Sequence, residues 1–239
     1  RSSAASDVYK RQDPSRRRGG ASLLRDHPDV DVILLDDGFQ HWAVARDLDI
    51  VLLDATRPFG HGRLLPRGML REPPRALSRA DLVVLTRTER VRDVAPLIGE
   101  VERCTDAPVA LARTRPVSVE IEGRPASCDS LRGRKVAACC GIGNPEAFAD
   151  TLAQDLGAEV VFRRFLEDHA APGPQAWTSM LGDARAAGAE LVVITRKDAV
   201  KHAALPGDVA VLDIELEVTS GEPELRAAVA AAMSNKRPT

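Results

Sequence analysis

The stretch Asp31-Val32-Ile33-Leu34-Leu35-Asp36-Asp37-Gly38-Phe39-Gln40-His41 constrains the fold more than any other part of the chain. Its short apolar run, Val32 to Leu35, does not alternate with polar residues. That is the pattern of a strand covered on both faces, as in parallel sheets. The run stops at two carboxylates and a glycine. Open α/β sheets bind ligands outside the carboxyl ends of their strands, which puts Asp36 and Asp37 where such a fold does its chemistry. In phosphoryl-transfer enzymes an Asp so placed holds the Mg²⁺ that bridges nucleotide phosphates. Gln40 and His41 add an amide and an imidazole directly after. A polar turn that merely closes a strand uses the same residues, so the rest of the chain has to decide between the two readings.

The rest is α/β in pattern. Apolar runs predict strands at Asp31–Asp36, Asp49–Asp54, Leu82–Thr86, Val109–Ala112, Lys135–Cys140, Glu159–Phe162, Leu191–Thr195 and Val209–Ile214. Helices are predicted over Pro74–Ser78 and Val91–Val101, from an Asn144 cap with Pro145 in the first turn to Leu156, over Gln175–Ala187, briefly from Arg196, and over Glu222–Met233. Between them, Thr114–Arg134 breaks into short alternating pieces punctuated by Gly and Pro. The expected organisation is a first α/β domain over 13–114, a β-rich linker over 115–134 and a second, smaller α/β lobe over 135–239. Arg1–Gln12 matches nothing that follows. Asp7-Val8-Tyr9-Lys10-Arg11-Gln12 is what a transposase adapter used in DNA library preparation would encode. Residues 1–12 are therefore set aside from the fold, and the natural chain is expected to begin further upstream.

Three other segments carry chemistry. Arg57–Pro73 holds too many Gly and Pro for a helix or central strand, and a loop of this length in a compact domain is usually functional. Its Arg57, Arg63, Arg67 and Arg71 suit forked recognition of an anion, while Leu64, Leu65, Met69 and Leu70 would pin the loop down or touch acyl chains. Gly141-Ile142-Gly143-Asn144-Pro145 is a tight strand-to-helix turn that could cradle an anion. Asp168-His169 places an acid beside an imidazole at a strand–loop junction, a plausible acid–base pair. Composition narrows the classes further. Lys and Arg number 33 against 35 acids, a net charge of −2, which gives no reason to expect nucleic-acid binding. Cys104, Cys128, Cys139 and Cys140 show no metal-ligand spacing, so a reduced setting without structural metal is expected.

Taken in order, DDGFQH (Asp36–His41), the loop from Phe59 to Pro73 ending in LREP, GIGNP (Gly141–Pro145), DH (Asp168-His169) and TRKDAVK (Thr195–Lys201) resemble the tetraacyldisaccharide 4′-kinase family of lipid A biosynthesis. The resemblance spans residues 20–220. It implies a P-loop-type, mostly parallel sheet, incomplete here because its N-terminal part is missing, plus the second lobe. It also implies transfer of the γ-phosphoryl group of ATP to the 4′-hydroxyl of a tetraacyldisaccharide 1-phosphate, with ATP and Mg²⁺ as cofactors. The partners implied are the lipid A precursor disaccharide and the inner-membrane surface, with no nucleic acid, and the location is the cytoplasmic face of the inner membrane. By the same resemblance Asp36 and Asp37 serve the metal, Asp168 and His169 are catalytic, and Gln40, His41, Arg71, Glu72, Lys197 and Asp198 bind substrate or nucleotide. Two positions depart from the family pattern: Ala170 stands where a second ring is frequent, and Arg196 where Glu is usual. No G-x-x-x-x-G-K-[ST] phosphate cradle occurs in the chain, so the fragment is expected to be inactive alone. The alternative is a non-catalytic α/β protein that keeps Asp36 and Asp37 to bind an anion or metal.

Overall fold

The computed structural model describes residues 9–167, 173–202 and 204–234. Its first elements are α1 (Arg16–Asp26), β1 (Ile50–Asp54), β2 (Leu82–Thr86), α2 (Ala95–Glu102), β3 (Val109–Ile121) and β4 (Arg124–Ala126). There follow β5 (Lys135–Cys140), α3 (Pro145–Asp150), β6 (Glu159–Phe165) and α4 (Pro174–Ala186), then β7 (Leu191–Thr195), α5 (Arg196–Ala199), β8 (Val209–Ser220) and α6 (Glu222–Ser234). Contacts divide the chain into two compact units, Arg1–Arg113 with Val218–Thr239, and Thr114–Glu217. Strand pairing within each is mostly parallel, with helices on the faces.

In the first unit β1, β2 and the start of β3 pair in parallel in that order. β2 is apolar throughout because it is covered twice. Val83 and Leu85 pack against Leu97 and Val101 of α2 on one face, while Leu82 and Val84 join Ala110, with Leu225 and Ala228 of α6, on the other. In the second unit the strand order is β3-β8-β7-β5-β6, with β4 antiparallel on β3. Val136, Ala138, Cys140 and Val193 meet Phe148, Ala149 and Leu152 around α3. Ala137, Cys139, Val192 and Ile194 meet Trp177, Met180 and Ala184 of α4. Arg115 reaches Glu215 while Ser118 reaches Asp213, so β3 and β8 run in opposite directions. Cys139 and Cys140 point to opposite faces, and burial pushes both thiols up to about 12, which keeps them neutral and unreactive.

Several expectations need correction. Residues 31–35 are not a strand: they run without pairing, and Val32, Ile33 and Leu34 are exposed, Leu34 to 90%. An apolar run becomes a strand only when a neighbour takes its backbone groups, and β1, next in the chain, pairs only with β2 among the described strands. β3 and β8 extend well past Ala112 and Ile214 because the two strands hydrogen-bond each other. β3 runs straight into the stretch expected as a linker, 115–134. α6, at the end of the stretch expected as the second lobe, packs on the strands of the first unit. α2 starts at Ala95, where Asp93 accepts the Ala95 amide at 2.9 Å, not at Val91.

The return of the chain into α6 depends on Gly221. Its φ is +77°, and a Cβ there would lie 2.8 Å from Ala110 Cα. Gly221→Ala is expected to destabilise the protein by about 2 kcal/mol, from backbone strain plus overlap with β3. A urea unfolding midpoint equal to that of the parent would show that the turn relaxes freely.

Candidate functional site

Within the first unit the predicted site residues gather around one turn. Asp36-Asp37-Gly38 reverses the chain, with Asp37 in the left-handed region at φ 54°. A Cβ on Gly38 would lie 2.7 Å from that of Leu35, so only glycine closes the turn this tightly. The His41 amide then donates to Gly38 O at 2.9 Å. Asp36 and Asp37 both stay exposed, and Asp37 forms an ion pair with Arg71 of the LREP loop. Gln40 and His41 are half-buried beside them.

The neighbouring Glu72 pairs with Arg79 at 2.8 Å. The Arg79 guanidinium carbon lies 4.3 Å from the Phe39 ring centroid and 4.2 Å from that of Trp42. Its Nε and one Nη are buried without a hydrogen-bond partner. Two aromatic faces and one carboxylate thus stand in for water around a cation. The turn and the LREP loop are joined twice, through Asp37–Arg71 and through Phe39 and Trp42 with Arg79 and Glu72. Arg46 fixes the chain leaving the turn: it donates to His41 O at 2.9 Å and forks onto Asp49 at 2.5 and 3.0 Å. Asp54, the carboxylate ending β1, accepts from Thr56 at 2.6 Å and pairs with Arg87 at 2.6 Å. Burial alone would raise its carboxyl, but Thr56 and Arg87 outweigh that and hold it below the usual range.

In the second unit Asp198 is buried, 7% exposed, and both its oxygens are taken by this chain. Oδ2 accepts from Thr195 Oγ1 at 2.7 Å and from the Gly141 amide at 3.1 Å, while Oδ1 meets Lys201 Nζ at 2.7 Å. The Gly141 backbone lies so close to the end of β6 that a Cβ would be 3.0 Å from Glu167 O. Asp198 therefore ties the GIGNP turn and the segment leaving β6 to the start of α5, an internal bond rather than an open ligand position. Lys197, beside it in sequence, is exposed. Arg196 forks onto Asp213 at 2.9 and 2.7 Å and reaches Glu120 at 2.9 Å, which gives the departure from Glu at this position a local purpose. Asp168 and His169 lie outside the described residues.

Burial pushes the Asp198 carboxyl up, but the Lys201 ammonium, the Thr195 hydroxyl and the Gly141 amide together bring it below the usual carboxylate range. A lowered folded pKa means this stabilisation is complete above about pH 4, the unfolded value, and drains away as pH falls through the folded one. Asp198→Asn is expected to cost about 1–3 kcal/mol at neutral pH. The gap from the parent in urea unfolding should close in acid; a gap independent of pH would show that the charge does not matter. Arg79→Met is expected to cost about 1–2 kcal/mol by removing the cation between two rings. Trp42 is already 69% exposed, so the readout is the ring face that Arg79 covers: its loss should raise acrylamide quenching of Trp42 further, while Trp177, buried on α4, stays protected. Unchanged quenching would sink the stacking role.

No group of three or more His, Cys, Asp or Glu side chains converges as a self-sufficient metal site among the described residues. A family model described as LpxK, tetraacyldisaccharide-1-P 4'-kinase, matches residues 10–234. The tetraacyldisaccharide 4'-kinase of Anaeromyxobacter dehalogenans strain 2CP-C is 43% identical over 219 residues, which cover 84% of this chain and 55% of that protein. That of Halothermothrix orenii is 37% identical over 201 residues, covering 78% of this chain and 52% of its own length. A crystal structure of LpxK from Aquifex aeolicus in complex with ATP superposes with a TM-score of 0.63 at 25% identity, covering 92% of this chain and 62% of that one. The chain thus spans about half the length of the curated relatives it matches. With its fold and nearly its whole length matched, the chain belongs to the tetraacyldisaccharide-1-P 4'-kinase family.

Proposed function

We propose that this chain forms part of a kinase that moves the γ-phosphoryl group of ATP onto the 4′-hydroxyl of a tetraacyldisaccharide 1-phosphate, at the cytoplasmic face of the inner membrane. The observation that carries the reading is the pairing of the exposed Asp37 carboxylate with Arg71, on a turn locked to the LREP loop by Arg79. Phosphoryl transfer asks for positioning and charge neutralisation more than covalent help. A carboxylate and a guanidinium held side by side offer both signs to a phosphate and its counter-ion.

The donor set fits Mg²⁺, which commonly takes one or two carboxylates and completes its shell with phosphate oxygens and water. Asp36 and Asp37 would hold it, and when bound it neutralises charge on the phosphates. Arg71, paired with the exposed Asp37 at the surface, carries a fork that suits a phosphoryl oxygen. Gln40 and His41 border the same turn and orient nucleotide or substrate, and Glu72 keeps Arg79 and the loop in register. His169, with Asp168 beside it in sequence, takes the proton from the sugar hydroxyl as its oxygen attacks phosphorus and ADP leaves. Lys197 offers an exposed ammonium to an anion, and Asp198 shapes the turn next to it.

The phosphate cradle absent from this sequence has to be supplied by another segment, so the chain alone is expected not to turn over. The test joins the N-terminal part of the Anaeromyxobacter dehalogenans relative ahead of Asp13. With Mg²⁺ and labelled ATP the chimera should phosphorylate the disaccharide, and the chain alone should not. His169→Ala in the chimera should lower turnover by about 10²–10⁴-fold while ATP still binds. A folded chimera without transfer would overturn the kinase reading. Loss of ATP binding in the His169 variant, or full activity, would overturn the role given to His169.

A further inference from the structure

We infer that the loop between β1 and β2 docks on an anionic lipid bilayer, through an apolar knuckle flanked by arginines. The inference rests on the reading above that the substrate is a lipid, and it names the surface that brings this chain to it.

The knuckle is built, not loose. The Leu65 amide donates to Leu70 O at 2.9 Å, Leu70 to Arg63 O at 3.2 Å and Gly68 to Leu64 O at 3.0 Å, which folds the loop back on itself. Two glycines make room. A Cβ on Gly68 would lie 2.1 Å from Arg63 O, and one on Gly60 would lie 2.9 Å from Met69 Cβ. What this structure presents is apolar: Leu64, Leu65 and Met69 are 45%, 63% and 65% exposed. Holding three large apolar side chains in water by a defined backbone is costly unless something covers them.

Charge identifies the cover. No carboxylate occurs from Ala55 to Arg71, whereas Arg57, Arg63, Arg67 and Arg71 all fall there. Arg71 is held by Asp37, but Arg63 and Arg67 are exposed and make no ion pair or side-chain hydrogen bond among the described residues. Apolar tips beside free cations suit the boundary between acyl chains and anionic headgroups. A second copy of the chain fits worse, because a two-fold contact would set the same cations against each other. The other exposed apolar stretch, Val32 to Leu34, is flanked by Asp29, Asp31, Asp36 and Asp37, and an anionic surface repels it. No helix among the described residues is long and apolar enough to cross a membrane, and a surface-docking loop needs none.

The test is flotation of the purified chain with phosphatidylcholine vesicles, with and without phosphatidylglycerol, in the absence of ATP and disaccharide. Its outcome is therefore independent of whether the protein is a kinase. The chain should float with the anionic vesicles only, and less as salt rises. Replacing Arg63 and Arg67 together by Gln should weaken binding about 30-fold. Leu65→Ser with Met69→Ser should weaken it comparably, and Leu34→Ser should leave it unchanged. All of these side chains are exposed, and a melting curve for each variant checks that it folds. Equal binding to both vesicle types, no binding to either, or loop variants that float like the parent would each overturn the proposal. So would a dimer on size exclusion that the loop substitutions abolish, which would assign the knuckle to a second copy.

Discussion

Strands that are apolar on both faces must be covered on both faces, and most of this structure answers that requirement. β2 is the clearest case. Leu82 and Val84 look one way, Val83 and Leu85 the other, and each pair has a helix over it. The helix over Leu82 and Val84 is α6, at the far end of the sequence, so the chain must come back to the first unit to finish it. Gly221 is the consequence. The returning backbone passes so close to Ala110 that no side chain fits between them. In the second unit α3 and α4 divide β5 and β7 in the same way, with the neutral thiols of Cys139 and Cys140 serving as small apolar side chains on opposite faces.

The same requirement explains what could and could not be read from the sequence. β1, β2, β5 and β7 stand out as short unbroken apolar runs, and their bounds in the structure are those of the runs. β3 and β8 show only their first halves that way. Beyond Ala112 and Ile214 they alternate charged and apolar residues, with Arg115 against Glu215 and Ser118 against Asp213. Pairing across about a hundred residues of sequence makes a strand there, and no local pattern reports a partner that distant. Val32 to Leu35 is the converse. Its local pattern is as strong as that of β1, yet no described strand pairs with it, and without a partner the pattern produces an exposed segment.

Legibility of the site follows a related division. Asp36, Asp37, Arg71 and Glu72 are recognisable because their types and order are distinctive, and the structure brings Asp37 to Arg71. Arg79 carries no such mark: it is one of many arginines and ends a short 3₁₀ helix, Pro74–Arg79, after the LREP motif. The available signal was aromatic. Phe39 and Trp42 follow a polar turn in a chain with only two tryptophans, and aromatic rings at an exposed turn call for something to stack on. Asp198 is the opposite case. A Lys-Asp pair at a strand end reads as a ligand site, whereas burial turns its carboxylate inward onto Gly141, Thr195 and Lys201.

Asp37 and Asp198 therefore separate two tasks that one residue type can perform. Asp198 makes three bonds to its own chain through both oxygens, and each further bond makes it a better strut and a poorer ligand, because fewer lone pairs are left for a guest. Asp37 makes one ion pair at the surface, with a flexible side chain that can leave. Exposed pairs of this kind contribute little to stability, which is the condition for exchanging the partner without unfolding the turn. Rigidity has to come from elsewhere, and Arg79 supplies it by fixing the ring faces of Phe39 and Trp42 instead of the carboxylates themselves. The turn is held by its aromatic flank so that its acidic tip stays available, an arrangement suited to binding a phosphate-bearing ligand and its counter-ion in a defined place.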